Sequence, residues 1–566
     1  MRYIALACDY DGTIAADGLV DPSTLQSLQQ LRESGRRLIL VTGRQLPDLL
    51  RVLPHIDVFD RVVAENGALV YCPDTRTETT LGPPPRPEFV ESLRRRGVTP
   101  LSVGRVIVAT WEPQQEVVLE AIRELGLELQ VIFNKGAVMV LPSGVNKATG
   151  LTSALESLHL SPHNCVGIGD AENDHAFLSL CECSVAVANA LPALKAAATL
   201  VTSGTRGAGV SELVDRLLAT DLHELDDRIS ARHLPLGRLP DGSQLLISPW
   251  TGVVLIAGPS GSGKSTVTAG LLERLTQQKY QFCLIDPEGD YSDTEVAITV
   301  RGAAISTLVD EAFEVLARPA ENVAVNLLDI AIEDRSDAVE RLLARVVELR
   351  ARTARPHWIV LDEAHHALPA TWARTDLAAA TRPGLALITV HPEQIARSAL
   401  AELDLAIAVG PAPHTTLASV ATTLGTAAPA DIAESGPGTA VAWWPATGGT
   451  PIQFEVMPPE AHLQRHRRKY ARGELGEDKS FYFTGADGRL KLRAQNLMLF
   501  LQIGDGVDDE TWAFHLRRGD YSRWIRSAIK DDELADEIQV LENSTLSVQE
   551  SRKRVRAGIS ARYTAP

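Results

Sequence analysis

The chain is expected to fold as a multidomain α/β protein that ends in a small, mainly helical module. Three observations predict this. Short β-branched runs alternate with helical periodicity from Arg2 to about Leu218, the pattern of a parallel sheet flanked by helices. A second series of the same kind begins near Gln244, after the charged stretch from His223 to Arg232 and the turn Pro240-Asp241-Gly242. Beyond about Pro459 the composition changes, since 10 of the 28 aromatic residues fall in the last 107 positions. At about 100 to 200 residues per domain, 566 residues exclude one compact core.

In the first series, Tyr3 to Cys8 reads as a buried strand, Asp21-Pro22 opens a helix carrying Leu25, Leu28 and Leu31, and Arg37 to Val41 is the next strand. Pro83 to Pro85 mark a stiff connection into an insert. The insert is read as a helix at Glu88 to Arg95, a strand at Val106 to Trp111, a helix at Gln114 to Leu125 and strands near Leu129 to Phe133 and Ala137 to Leu141. In the second series the strands are Val253 to Ala257, Phe282 to Ile285, Trp358 to Leu361 and Ala386 to Val390. The expected division is 1–218 (insert about 83–145), a linker at 219–240, a second domain at 241–458 and a terminal module at 459–566.

The formal charge is −17, with 45% hydrophobic and 22% charged residues, which is a globular rather than a disordered composition. Only residues 460–566, with 19 basic and 17 acidic side chains, lean basic, so duplex DNA wrapping through phosphate neutralisation is disfavoured. Six cysteines at 8, 72, 165, 181, 183 and 283 form no CxxC pair, so reduced thiols and a cytoplasmic home are expected. The N-terminus has an acid at position 9 and no cleavage signature, and the longest uncharged stretch, Leu405 to Ala430, is too broken to span a bilayer.

The first strand ends in Asp9-Tyr10-Asp11-Gly12-Thr13. Two carboxylates so spaced at a strand end can share one pocket, one attacking phosphorus and the other moving the proton of the leaving group. The second strand ends in Thr42-Gly43-Arg44, Lys147 follows the insert, and Val166-Gly167-Ile168 leads into Gly169-Asp170-Ala171-Glu172-Asn173-Asp174. Together these supply a hydroxyl and backbone amides, a cation and metal-holding carboxylates, in the order a parallel sheet presents them at its carboxyl edge.

On these four strings, residues 1 to 218 resemble the haloacid dehalogenase superfamily of phosphatases, and the insert resembles the cap of its type IIB, Cof-like subgroup. The resemblance implies a Rossmann-like core and a Mg²⁺-dependent hydrolysis of a small phosphomonoester, a sugar phosphate for example. It also implies roles: Asp9 as nucleophile, Asp11 as general acid/base, and Thr42 and Lys147 as phosphate binders. Asp170, Asp9 and the carbonyl of Asp11 would hold Mg²⁺ with support from Asp174, and Asn173 would touch the phosphoryl group beside Gly43 and Arg44. Glu65-Asn66-Gly67-Ala68 fits the subgroup too, with Asn66 near the substrate, and fits a plain β-turn equally well.

The strand Val253 to Ala257 runs into Gly258-Pro259-Ser260-Gly261-Ser262-Gly263-Lys264-Ser265-Thr266 and then a helix. This is a full Gly-x4-Gly-Lys-Ser string in its required context: Gly258, Gly261, Gly263 and Thr266 lend backbone amides to phosphates, Lys264 reaches the β and γ oxygens, and Ser265 binds Mg²⁺. Trp358 to Leu361 closes on Asp362-Glu363, with Asp362 beside the Mg²⁺ and Glu363 polarising water, which tilts the domain toward ATP hydrolysis. Thr389, His391 and Gln394 are candidate γ-phosphate sensors or mere strand-end residues, and zinc at His365-His366 is disfavoured. With Asp286-Pro287-Glu288-Gly289-Asp290-Tyr291, residues 235 to 458 resemble the HerA/FtsK-like P-loop ATPases, which implies a hexameric ring with a trans arginine; Arg382 and Arg397 are candidates.

The terminal module pairs a basic cluster at 465–470 with Phe481-Tyr482-Phe483, and it is read as a docking or oligomerisation module in preference to a single-strand nucleic-acid binder. The overall expectation is a phosphatase fused to an ATP-binding domain that regulates it or drives a motor. Two alternatives stand beside it: a bifunctional kinase and phosphatase, and a ring ATPase on DNA with the phosphatase domain as sensor.

Overall fold

A computed structural model describes residues 1–229, 232–291, 294–372, 374, 381, 383–430, 432, 434–459, 480–485, 490–529, 531–544 and 546–563. It divides into two units, Met1–Met457 and Pro458–Pro566.

The first unit contains two large sheets. One has eight strands in the order Leu200–Val201, Cys183–Ala186, Cys165–Gly169, Ala5–Asp9, Arg37–Val41, Arg61–Ala64, Leu69–Cys72, Thr77–Thr80. The first six run parallel, and the last two are joined on by antiparallel pairings. Ala5–Asp9 is buried along its whole length, as a central parallel strand covered on both faces must be. Its neighbours fix the site, because Asp9 pairs in register with Val41 and Cys8 with Ile168. The three loops that carry Asp11, Thr42 and Asp170 therefore leave the same sheet edge.

The insert forms a four-stranded antiparallel sheet, ordered Leu129–Asn134, Ala137–Pro142, Val108–Trp111, Ser102–Val103. Helices Pro87–Arg95 and Gln115–Glu124 pack on it through Phe89, Leu93, Val118 and Ala121. The first helix begins at Pro87 and the strand at Val108, each within two residues of the sequence expectation.

The second sheet has eleven strands, ordered Gln244–Ile247, Leu234–Arg238, Ile452–Val456, Thr439–Trp443, Leu403–Val409, Val253–Ala257, Leu385–Thr389, Trp358–Leu361, Phe282–Asp286, Val323–Asn326, Ile298–Arg301. Seven are parallel, and the four at the first edge are antiparallel. Leu234–Arg238 lies inside the stretch 219–240 that was expected to be a linker. Leu234 and Leu236 alternate inward onto the second core while Pro235 interrupts the pattern, which masks a strand in a short window.

In the terminal unit, a hairpin of Phe481–Phe483 and Leu492–Ala494 packs with helices Leu497–Gly506, Asp509–Arg518, Asp520–Trp524, Asp532–Glu542 and Val548–Tyr563. Its core is aromatic: Phe481, Phe483, Phe500, Trp512, Tyr521 and Trp524 are buried together. Phe500 and Trp524 stack with centroids 5.0 Å apart, and Trp512 and Tyr521 lie 4.6 Å apart, so these rings are spent on packing. The basic cluster 465–470 lies outside the described residues.

All six cysteines are free thiols, and among the described residues no helix is long and apolar enough to cross a membrane.

Candidate active sites

At the carboxyl edge of the eight-stranded sheet, Asp9 ends its strand almost fully buried. The helix Lys147–Ser157 starts opposite it, capped by Asn146, whose carbonyl oxygen Oδ1 accepts from the amides of Ala148 and Thr149. That cap aims Lys147, itself 1% exposed, between two carboxylates: Nζ donates to Asp9 Oδ1 and to Asp174 Oδ1, each at 2.6 Å. The other oxygen of Asp174 accepts from the amides of Asp170 and Ala171, both at 2.9 Å, which fixes its direction.

Thr13 Oγ1 lies 3.3 Å from Asp9 Oδ2 and 3.4 Å from Asp170 Oδ1, joining the first loop to the fourth. Gly12 has φ 92°, and a Cβ there would overlap Asp170 Oδ2, so the approach requires glycine. Asp9, Asp170 and Asp174 each offer an oxygen within 4.8 Å of the others. Three buried carboxylates outnumber the two ammoniums that touch them, buried Lys147 and half-exposed Lys135, and hard oxygen donors so disposed fit Mg²⁺. Burial, then the neighbouring Asp174, pushes the Asp9 carboxyl up to about 7 against the opposing pull of Lys147. Asp170 is raised as well, first by burial, with Lys135 opposing. Lys147 is held firmly protonated, because Asp174 and Asp9 outweigh the burial that would lower it.

Asp11 stands outside this knot, with its side chain 44% exposed. Arg44 grips it with Nε and Nη2, each 2.7 Å from one carboxylate oxygen, and ties it to Asp48 through Nη1 at 2.8 Å. Thr42 is buried, and its Oγ1 accepts the Arg44 amide at 3.1 Å. Asn173 Nδ2 donates to Asn66 Oδ1 at 3.0 Å, while its own buried Oδ1 has no partner. Gly43 faces Asn173 and Met139, a residue of the insert.

Two functional contacts escaped the sequence reading. Glu65, fully buried, accepts from the amides of Arg105, Val106 and Ile107 at 2.8, 2.9 and 3.1 Å, anchoring the insert to the core. Gly67, at φ 104°, lies where a Cβ would overlap the carbonyl of Asn146. The string Glu65-Asn66-Gly67-Ala68 is thus both a tight turn and the bed on which the Lys147 helix rests. The second missed residue is Lys135 of the insert, whose Nζ donates to the Asp11 carbonyl at 3.0 Å and to Asp170 Oδ2 at 2.9 Å. Its only sequence signal is a two-residue Lys-Gly loop between two strands.

In the second sheet, the loop from Gly258 turns at Gly261 (φ 73°) and Gly263 (φ 104°) before the helix Lys264–Gln277, which carries Ser265 and Thr266 in its first turn. Lys264 Nζ rests on the Pro259 carbonyl at 3.1 Å, and burial lowers its pKa. Leu385–Thr389 separates the loop strand from Trp358–Leu361, so buried Thr389 stands between the loop and Asp362. Burial pushes Asp362 up to about 7 and raises Glu363, on which Glu288 also acts. Glu363 has φ 42°, an uncommon conformation for its type, and one buried oxygen of its carboxylate lacks a hydrogen bond. His365 Nδ1 is 3.0 Å from Thr389 Oγ1, and burial followed by His366 and His391 lowers it to about 4, so it is neutral at pH 7. His391 turns instead to Glu393 at 3.1 Å, and Gln394 lies in a short 3₁₀ turn beyond it. Asp286 accepts the amides of Gly289, Asp290 and Tyr291, folding its acidic loop over the strand end. Arg397 bonds the Leu424 carbonyl at 3.2 Å, and Arg382 lies outside the described residues.

Two family matches fall on this chain. Residues 6–93 and 102–214 match the haloacid dehalogenase-like hydrolase family, and residues 246–390 match the AAA ATPase domain. The phosphoglycolate phosphatase of Methanothermobacter thermautotrophicus is 33% identical over 223 residues, covering 38% of this chain and 98% of that protein. Phosphoglycolate phosphatase 2 of Saccharolobus solfataricus is 28% identical over 222 residues, covering 38% and 93%. A haloacid dehalogenase-like hydrolase structure from Bacteroides thetaiotaomicron is 19% identical with TM-score 0.34, covering 38% of this chain and all of that one. The chain belongs, through its first domain, to the haloacid dehalogenase-like hydrolases. It is a phosphatase fused to an AAA ATPase domain.

Proposed function

We propose that residues 1–218 hydrolyse a small phosphomonoester through an aspartyl-phosphate on Asp9, with Mg²⁺ held by Asp9, Asp170 and the Asp11 carbonyl. The observation that carries this reading is Lys147 clamped between Asp9 and Asp174, beside Asp170. The clamp fixes the attacking carboxylate and supplies a permanent cation where phosphoryl charge accumulates. When bound, Mg²⁺ would neutralise phosphoryl oxygens facing Asp9 and Asp170. Asp9 attacks phosphorus as the ester P–O bond breaks and the leaving oxygen takes a proton from Asp11, which is free to carry one when Arg44 lets go of one of its oxygens. Water then attacks phosphorus, gives its proton to Asp11 and breaks the Asp9–phosphorus bond, releasing phosphate. Thr42, the Gly43 amide and Asn173, which lies beside Gly43, are read as holders of the remaining phosphoryl oxygens.

The substrate class is narrowed by the relatives, both named for phosphoglycolate. A phosphomonoester bearing a carboxylate is therefore placed ahead of a neutral sugar phosphate. The test is phosphate release from 2-phosphoglycolate and a panel of sugar phosphates with Mg²⁺, by wild type and Asp9→Asn. Release at wild-type rate from the Asp9→Asn variant would remove the assignment.

For residues 241–458 the reading is ATP hydrolysis, with Lys264 and Ser265 on the triphosphate and its Mg²⁺, Asp362 behind the ion and Glu363 on the water. The Glu363 carboxylate, whose Oε2 lies 3.3 Å from His365 Nδ1 without a hydrogen bond and which acts electrostatically on Lys264, supports hydrolysis over transfer to an acceptor. A HerA/FtsK-like assignment rests on the turn that Asp286 builds with Gly289 to Tyr291, and a hexameric mass in ATP would support it. The six thiols, none in a disulfide, fit a cytoplasmic setting.

A further inference from the structure

The insert touches the Asp11 and Asp170 loops through the Lys135 side chain. Leu129–Asn134 and Ala137–Pro142 pair from Leu129↔Pro142 to Asn134↔Ala137, leaving a two-residue loop of Lys135 and Gly136. Both are left-handed, at φ 49° and 85°, the geometry that a tight hairpin of this twist demands. The turn carries the Lys135 ammonium onto the Asp11 carbonyl and Asp170 Oδ2. Those two oxygens, with Asp9, are the donors assigned above to the divalent cation, so the ammonium stands where the cation would be bound.

We propose that Lys135 is a tethered competitor of the divalent cation, which latches the insert over the metal-free core and must leave those oxygens when the metal binds. This inference rests on the Mg²⁺-dependent phosphatase reading. The physical ground is charge and competition for donors. An ammonium at 2.9–3.0 Å and a divalent ion at about 2.1 Å on the same carbonyl and carboxylate oxygens draw on the same lone-pair density and repel one another as like charges. The Lys135 side chain is 48% exposed against 6% for Asp170, so the ammonium can swing to water at small cost while the carboxylate stays. Glu65 keeps the base of the insert attached, which makes Lys135 a latch at the tip and not the anchor. Metal affinity and insert closure thereby oppose one another until substrate arrives.

The test is Mn²⁺ binding to the full chain without nucleotide, read by the loss of the free-ion paramagnetic resonance signal. Three variants are compared with wild type: Lys135→Asn, which suits the left-handed turn, Lys135→Met and Asp170→Asn. The expected result is binding tightened roughly two- to fivefold by both Lys135 variants, the range of a half-exposed ion pair, and lost in Asp170→Asn. Unchanged or weaker binding in the Lys135 variants, with loss in Asp170→Asn, overturns the latch and leaves the metal site standing. Unchanged binding in Asp170→Asn removes the metal site itself, and the latch with it.

Discussion

Arg44 holds both carboxylate oxygens of Asp11, Nε on one and Nη2 on the other at 2.7 Å. The general acid/base of the proposed reaction is thus positioned by a fork whose planar geometry matches a carboxylate. Arg44→Lys keeps the charge and loses the fork. It is expected to lower kcat by about tenfold or more, with KM changing less. The pair is partly exposed, so the melting temperature should move by only about two degrees. Steady-state kinetics with a thermal melt checks both expectations. Unchanged kcat would show that Asp11 needs no such guide.

Lys147→Met should cost stability as well as activity, because it leaves Asp9 and Asp174 buried together without the cation between them. A loss of roughly 3–5 kcal/mol is expected at pH 8. The sign with pH follows from Asp9, whose carboxyl is already pushed up to about 7 with Lys147 opposing the shift, and which loss of the lysine pushes up further, while it is ordinary when unfolded. Its ionised form burdens the fold above pH 7, and the burden disappears as pH falls from 7 toward 4. Denaturant melts of the metal-free variant should therefore approach wild type at pH 5, and a pH-independent deficit would contradict this.

Glu182 is completely buried where the two large sheets of the first unit meet. It accepts from Tyr280 at 2.9 Å and Trp250 at 2.8 Å and pairs with His163 at 2.7 Å; Arg2 and Arg232 lie at 3.5 Å. Burial alone would raise its carboxyl, but His163, Arg232 and Arg2 hold it down at about 2. A depressed carboxyl contributes stability above its unfolded value of 4.5 that is lost as pH falls from 4.5 through 2. Glu182→Gln should cost roughly 3 kcal/mol at pH 7 and lose less than wild type between pH 5 and pH 3. Parallel pH slopes for the two proteins would dismiss this role.

In the ATPase domain, Glu363→Gln is expected to keep ATP binding within about threefold and to lose about a hundredfold or more in turnover. Lys264→Ala is expected to lose binding itself, since its ammonium rests on the Pro259 carbonyl and has no carboxylate within salt-bridge distance among the described residues. Fluorescent-nucleotide titration and a phosphate-release assay separate the two effects.

What was legible in the sequence and what was not follow one physical rule. The loops carrying Asp9, Thr42, Asp170 and Lys264 were readable because a parallel sheet delivers contiguous strings to one edge, and their chemistry lies within a few residues. Lys135 was not readable, since its partner carbonyl at Asp11 is 124 residues away and only the fold of the insert joins them. Glu65 was visible as part of a turn, yet its bond to Arg105 spans 40 residues and its anchoring role is a tertiary fact. The antiparallel edge of the second sheet, Leu234–Arg238 with Ile452–Val456, pairs segments more than two hundred residues apart, beyond what local periodicity records. Nothing in the string Ser-Leu-Cys-Glu-Cys around Glu182 announces a buried carboxylate serving two domains.

The central claim is that phosphorus passes through Asp9. It is tested most directly by mixing the full chain and Mg²⁺ with a phosphate-labelled small phosphomonoester for one turnover, quenching in acid and mapping the label. The account predicts a transient acyl phosphate on Asp9, labile to hydroxylamine and absent in Asp9→Asn. Phosphate release with no label on Asp9 at any time, and undiminished in Asp9→Asn, would contradict it.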